Sequence, residues 1–108
     1  MITLANLIEL NEQICSRANE QCVVINKNNL LSALSVQQWY EGELLAAALV
    51  RSITIAHGFQ DGNKRTAACI GDFICEYTCT DDEVINCILD IVIGKLKDVN
   101  GIASILYS

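Results

Sequence analysis

The 108-residue sequence contains no proline, and it holds no internal repeat or low-complexity tract. Nothing in it therefore reads as an interdomain linker, and a single domain over residues 1–108 is expected. Cations are scarce: seven Lys and Arg stand against thirteen Asp and Glu, a net charge of −6 with a pI near 4.5. Only Lys64-Arg65 and the Lys95/Lys97 pair lie close together. The broad basic patch of a nucleic-acid surface is missing, so no nucleic-acid partner is expected. No apolar run reaches the roughly 18 residues of a membrane span, because Arg51, Ser52 and Thr54 interrupt the longest one. The N-terminus has no basic flank followed by an apolar run, so no secretory signal is expected. Both absences point to a soluble, cytoplasmic protein without a membrane partner. There is also no Cys-x-x-Cys and no second histidine. The six cysteines (Cys15, Cys22, Cys69, Cys75, Cys79, Cys87) are accordingly expected to be reduced thiols, mostly on apolar helical faces, rather than metal ligands or disulfides. A Gly-x-x-x-x-Gly-Lys-Ser/Thr loop is absent too, which excludes the Walker A route to phosphate binding.

What is present is apolar and helical in period. Hydrophobic residues make up 52% of the chain, with a mean hydropathy of +0.34, which suits a compact all-α domain with one largely buried helix. Thr3 can cap a first helix carrying Leu4, Leu7, Ile8, Ile14 and Cys15 on one face. Val23-Val24-Ile25 is a short β-branched run, and Asn26 to Asn29 is turn-like. Leu30 to Leu34 reads as a short helix, followed by a loop through Trp39 and Tyr40, two aromatics expected to pack in or at the rim of the core. Glu43 to Ala56 is a nearly continuous apolar helix, whose Arg51 is expected to snorkel or to pair with a carboxylate. Gly58 occupies the place of a left-handed helix terminator. Helix resumes over Asn63 to Tyr77, with Ala67, Ile70, Phe73, Ile74 and Tyr77 as its stripe. Gly71 weakens that helix unless it permits a close helix contact. Thr80 to Glu83 forms a capping box for a helix with the stripe Val84, Ile85, Ile88, Leu89 and Val92, ended by Gly94. Asp98 can cap a last helix presenting Val99, Ile102, Ile105 and Leu106. The sum is six helices and one short extended segment.

Chemistry concentrates in His57-Gly-Phe-Gln-Asp-Gly-Asn-Lys-Arg65. It contains the only histidine, and an imidazole can act as a general base near neutral pH, although a satisfied helix-end histidine is an equal reading from spacing alone. Asp61 is a hard oxygen ligand suited to magnesium, or a turn-forming Asp before Gly62. Gly62 permits close backbone approach to a phosphate, or simply makes the turn. Asn63 can orient the loop, bind phosphate or cap the helix that begins there. Lys64 and Arg65 beside free N–H groups at a helix start make an anion site, or a solvated face. Base, metal ligand and anion cradle together suggest phosphoryl or nucleotidyl transfer to a hydroxyl.

His57-Gly-Phe59-Gln-Asp61-Gly62-Asn63-Lys64-Arg65-Thr66 resembles the signature loop of the Fic/Doc family, His-x-Phe-x-Asp/Glu-Gly/Ala-Asn-Gly/Lys-Arg, which joins two central helices and binds a nucleoside triphosphate. Leu30 to Leu34, the apolar helix before His57, and the tail from Asp81-Asp82-Glu83 to Gly94-Lys95-Leu96 also have counterparts in Doc-like relatives, so the resemblance extends over nearly the whole chain. It implies a compact bundle with a flap, here Val23, Val24 and Ile25, that clamps a peptide by main-chain pairing. It implies His57 as the base, Asp61 as the magnesium ligand, Gly62, Asn63, Lys64 and Arg65 as phosphate-binding residues, and ATP with Mg2+ as cofactors. Phe59 is expected to plug into the core and set the loop's shape.

Two departures point to the Doc branch. Most AMP-transferring members have Gly where Lys64 stands, and a second arginine where Ala68 stands. The resemblance thus implies a Doc-like toxin, a protein kinase that passes the γ-phosphate of ATP to a Ser or Thr hydroxyl. It suggests elongation factor Tu as target, with arrest of translation, and a short antitoxin peptide or protein acting in trans. A Fic-type AMP transferase and a catalytically silent binding domain are the alternatives. Ser16-x-x-x-Glu20 nearly matches the inhibitory motif of AMP-transferring relatives. Gln21 follows it and the arginine target is missing, so Ser16 and Glu20 read as ordinary helix surface.

Overall fold

The computed structural model describes residues 1–108 as six α-helices. They are α1 (Leu4–Ala18), α2 (Lys27–Leu34), α3 (Gly42–Ala56), α4 (Asn63–Ile74), α5 (Asp81–Val92) and α6 (Val99–Leu106), with one 3-10 turn at Ser35–Gln38. The expected all-α architecture holds. Local chemistry sets most helix starts. Thr3 and Thr80 each accept from the N–H three residues on, and the Asn6 and Glu83 side chains reach back to the cap N–H. Such caps contribute about 1 kcal/mol each. Asn26 caps α2 three residues earlier than the Leu30 start expected from apolar spacing, and Asp98 caps α6.

The core forms two clusters that share α3. One gathers Leu7, Leu30, Leu34, Leu49, Ile53, Phe59 and Ile70 from α1 to α4. The other gathers Ala47, Val50, Val84, Cys87, Ile88, Ile91, Ile102 and Leu106 from α3, α5 and α6. Burial of Ala46 through Val50 and Ile53 explains why α3 is apolar all round rather than striped. Gly71 lies on α4 where a Cβ would overlap the Tyr77 hydroxyl and Val50, so it is the close helix contact that excuses a helical glycine. Gly71→Ala gains about 1 kcal/mol of helix propensity but overpacks this joint at a cost of about 1–3 kcal/mol. The urea midpoint of the variant is expected to fall despite the better helix former.

Several expectations need correcting. His57, not Gly58, takes the left-handed conformation that ends α3, at φ 46°. Gly58 is needed instead for space, since a Cβ there would run into the Leu30 side chain. Helix α4 stops at Ile74, and Phe73 is 77% exposed. Tyr77 is beyond the helix but turns back, its hydroxyl donating to Ala68 O at 2.6 Å and its N–H to Asp72 Oδ1 at 3.0 Å. Trp39 is 76% exposed rather than packed. Arg51 neither snorkels nor pairs with a carboxylate: its Nε donates to the Lys97 carbonyl at 2.7 Å, tying α3 to the approach to α6. On α5 the inward residues are Val84, Cys87, Ile88 and Ile91, while Ile85, Leu89 and Val92 are exposed. All six cysteines are free, as expected, but only Cys15 and Cys87 are buried and Cys69 is exposed. Burial pushes the Cys87 thiol up to about 11.

Candidate functional site

The loop between α3 and α4 is held from three sides. Asn63, the first residue of α4 and 6% exposed, closes it from within. Its Oδ1 accepts from Phe59 N at 3.0 Å and its Nδ2 donates to Phe59 O at 2.7 Å. Phe59 is fully buried in the first core cluster, so the loop is pinned by a side-chain plug and a two-bond clasp together. From below, α1 supplies Asn11, 1% exposed, whose Nδ2 donates to Asp61 O at 2.9 Å and Thr66 Oγ1 at 3.2 Å. The Cys15 thiol also reaches Asp61 O, at 3.6 Å. A Cβ on Gly62 would meet Asn11 Nδ2 and Cys15 Sγ at 3.0 and 3.1 Å, and its φ of 79° also favours glycine. From the flank, Val24 forms an antiparallel bridge with Phe59. Ile25 N and Asn26 N donate to Gly58 O at 2.8 and 3.0 Å, and Gln60 N donates to Val23 O at 2.9 Å.

The Val23-Val24-Ile25 segment thus joins the loop through its backbone, with Val23 and Ile25 exposed. Asn29 on α2 donates to Ala56 O at 3.0 Å, satisfying a carbonyl of the last turn of α3 beside His57.

His57 stands exposed at the mouth of this frame. Asn63 Nδ2 lies 3.3 Å from its Nδ1. Because the clasp on Phe59 fixes which end of the Asn63 amide is the donor, that amide donates to Nδ1, and a neutral ring bonded this way carries its proton on Nε2. Asn63 is therefore an orienting residue by its side chain. What it offers an anion is its backbone N–H. The first hydrogen bond of α4 is Thr66 N to Gly62 O. Gly62 brings no side-chain cap, so the N–H groups of Asn63, Lys64 and Arg65 stay without a protein partner at the positive end of a helix.

Asp61 is half-buried, and its Oδ2 accepts from Gln21 N at 3.1 Å. Its other carboxylate oxygen has no hydrogen-bond partner. No group of three or more His, Cys, Asp or Glu side chains is placed to hold a metal ion. A single carboxylate with an open oxygen, next to an anion cradle, fits magnesium held jointly by protein and phosphate.

Glu20 corrects the sequence reading. It lies past the end of α1, not on it, and its carboxylate pairs with Arg65. That pair is about half exposed on the Arg65 side, so it contributes little to folding. It matters because it occupies one of the two side-chain cations at the start of α4. Glu20→Gln is expected to tighten inorganic pyrophosphate binding by up to about fivefold, the equivalent of an exposed ion pair near 1 kcal/mol, as measured by titration calorimetry.

Loop, Glu20 and α5 enclose a cleft of about 820 Å³. One wall is polar: His57, Asp61, Asn63, Lys64 and Arg65. The facing wall is apolar, formed by the Ile85, Leu89 and Val92 side of α5 with Ile55 of α3. Asn11, Cys15, Glu20 and Gln21 are the site residues that the sequence reading missed. Two of them left a signal: Asn11 as a polar residue between Leu7 and Cys15 on the buried stripe of α1, and Glu20 in the near match Ser16-x-x-x-Glu20.

An exposed histidine beside an open helix N-terminus, on an all-α frame, is an arrangement that suits an anionic group such as a phosphate. A model of the Fic/DOC family matches residues 2–75, more than half of the sequence, and the chain belongs to that family. Its members generally transfer phosphate-containing groups of nucleotides to proteins, so the chain is placed among such transferases. Comparison with curated proteins and with solved structures found no match. The matched region takes in the flap and the whole loop but stops before α5 and α6, so the wider resemblance read in the tail lies beyond it.

Proposed function

We propose that this protein is a Doc-like toxin kinase that moves the γ-phosphoryl group of ATP to a Ser or Thr hydroxyl of a protein. One observation carries the choice of group: the cleft has Lys64 and Arg65 at the helix start but only Ala68 one turn further along the same wall. A triphosphate gathered at the helix start finds no third cation at position 68 to draw its terminal phosphate away from His57. The γ-phosphorus is then the one presented to the incoming hydroxyl. The apolar face of α5 offers the nucleoside a surface at the other end of the cleft.

In the transfer the hydroxyl oxygen forms a bond to the γ-phosphorus, the bond to the β–γ bridging oxygen breaks, and ADP leaves. His57 takes the hydroxyl proton. Its Nδ1 faces Asn63, so either the hydroxyl approaches that nitrogen or the ring exchanges tautomer as the long 3.3 Å contact gives way. Charge on the transferred group is met by the N–H groups of Asn63, Lys64 and Arg65 and by the two side-chain cations, once Arg65 is released from Glu20. Asp61 would hold Mg2+ through its open oxygen, and the ion would supply further neutralisation of the phosphates. Val23 and Ile25 stand beside the loop where a peptide segment could pair with the flap. Elongation factor Tu as the target, with arrest of translation, and an antitoxin peptide or protein in trans belong to this proposal on the strength of the resemblance.

The test is incubation with a bacterial lysate and ATP labelled at either the γ- or the α-phosphate. Label is expected on protein only from the γ position, as phosphate on Ser or Thr. Transfer from the α position would replace the kinase reading with AMP transfer, and transfer from neither would leave a binding domain.

A further inference from the structure

Two thiols, Cys15 in the last turn of α1 and Cys22 just beyond it, bracket Glu20 and Gln21, which reach across to Arg65 and Asp61. Cys15 is fully buried beneath the Gly62 turn, its Sγ 3.7 Å from Asn11 Oδ1 and 3.6 Å from Asp61 O. Helical side chains lean toward the helix N-terminus, so this thiol lies over the turn at Asn11 and Glu12. The chain then reverses at Asn19, in the left-handed conformation, with the N–H groups of Asn19 and Glu20 bonded back to the end of α1. The reversal returns Cys22 to the same turn, its Sγ 3.5 Å from the Glu12 carbonyl. Burial pushes the Cys15 thiol up, and the neighbouring Cys22 thiol pushes it the same way. Between the two sulfurs stand Glu20, paired with Arg65, and Gln21, whose N–H donates to Asp61 Oδ2. Residues 20–23 belong to no helix or strand.

We propose that Cys15 and Cys22 are a modification site, a dithiol whose oxidation to a disulfide locks Glu20 and Gln21 onto Arg65 and Asp61 and weakens polyphosphate binding. The effect on binding rests on the reading of the cleft as a phosphate site. Hydrogen peroxide is a sufficient oxidant. The half-buried Cys22, as thiolate, attacks one peroxide oxygen. A sulfur–oxygen bond forms, the oxygen–oxygen bond breaks, and the departing hydroxide takes from solvent the proton that Cys22 released on ionising, leaving as water. Cys15 sulfur then attacks the Cys22 sulfenic acid. The disulfide forms, the sulfur–oxygen bond breaks, and the second hydroxide leaves as water with the Cys15 proton. The two thiols lose two electrons and the peroxide gains them.

Closing the sulfurs to about 2.05 Å draws the 20–22 segment toward α1 and the loop above it. With both thiols reduced, this segment can lift when a polyphosphate competes for Arg65. Cross-linked to α1, it cannot, and Glu20 stays at high local concentration beside the guanidinium.

The experiment compares the reduced full chain with chain treated with hydrogen peroxide. Peptide mapping is expected to link Cys15 to Cys22. Inorganic pyrophosphate is expected to bind about tenfold more weakly to the oxidised form, a coupling within the usual range for linked sites. Phenylglyoxal is expected to modify Arg65 more slowly. Dithiothreitol should reverse all three changes, and Cys22→Ser should show none of them. A map without the Cys15 to Cys22 link overturns the proposal, as does a linked protein with unchanged Arg65 reactivity. If the reduced chain binds no pyrophosphate, the phosphate reading of the cleft fails, while Arg65 protection on oxidation still decides whether the disulfide sets the lock.

Discussion

His57→Gly is expected to abolish most transfer activity while making the protein slightly more stable. Loss of a positioned general base costs about 10²–10⁴ in rate, and no other imidazole exists in the chain to replace it. The stability gain comes from the backbone. His57 ends α3 at φ 46°, a conformation that crowds Cβ against the following carbonyl. Removing that Cβ relieves about 1 kcal/mol, because glycine adopts the left-handed region freely. The side chain is exposed, and its one hydrogen bond is the 3.3 Å contact with Asn63, so little packing is lost. Urea denaturation and a labelled-ATP assay on the same preparation check both halves. A structural helix-end histidine would show the stability gain with activity retained. That outcome would remove His57 from the mechanism.

Asn63→Ala is expected to lose both stability and activity. The side chain is 6% exposed and makes two bonds to Phe59, at 3.0 and 2.7 Å, besides facing His57. Truncation leaves the buried Phe59 N–H and C=O without these partners, and each unsatisfied group costs about 1–3 kcal/mol. A total loss of about 2–4 kcal/mol in the unfolding free energy is expected. Asn63→Asp separates the clasp from mere bulk. The carboxylate can still accept from Phe59 N–H, but it turns an acceptor toward Phe59 O where the amide donated. It should fall between wild type and Asn63→Ala in urea midpoint. In both variants activity should drop by more than the unfolded fraction accounts for, since the loop carrying His57 and Asp61 loses its geometry. If Asn63→Ala unfolded like wild type, the clasp would have no energetic weight.

Much of this fold could be read from local chemistry. Thr3, Thr80 and Asp98 start helices because a side-chain oxygen three residues before an N–H closes the cap whatever surrounds it. The all-round apolar character of Ala46 to Ile53 identified the helix that both halves of the core pack against. The loop from His57 to Arg65 was legible as a candidate site because its residue types and spacing are concentrated in nine adjacent positions.

The misread positions share one cause. Ile85, Leu89 and Val92 have nearly the same hydropathy as Val84, Ile88 and Ile91, so composition could not say which side of α5 is buried against α3 and α6 and which stays exposed. Phe73 and Trp39 look like core residues by hydropathy, but the helix directions leave them in solvent.

The sequence by itself determined the helices, most of their caps and the place of the loop between α3 and α4, because each depends on interactions within a few residues. Tertiary structure alone decided how that loop is held and covered. Asn11 meets Asp61 across 50 residues, and Gln21 meets it across 40. Glu20 reaches Arg65 only because the chain reverses at Asn19 and returns beside the end of α1 and the loop. Such contacts leave no period in the chain, and the near match at Ser16-x-x-x-Glu20 does not name Arg65 as the partner. They arise when packing of Leu7 and Phe59 into one core brings α1 against the loop, and a polar side chain already there finds its partner.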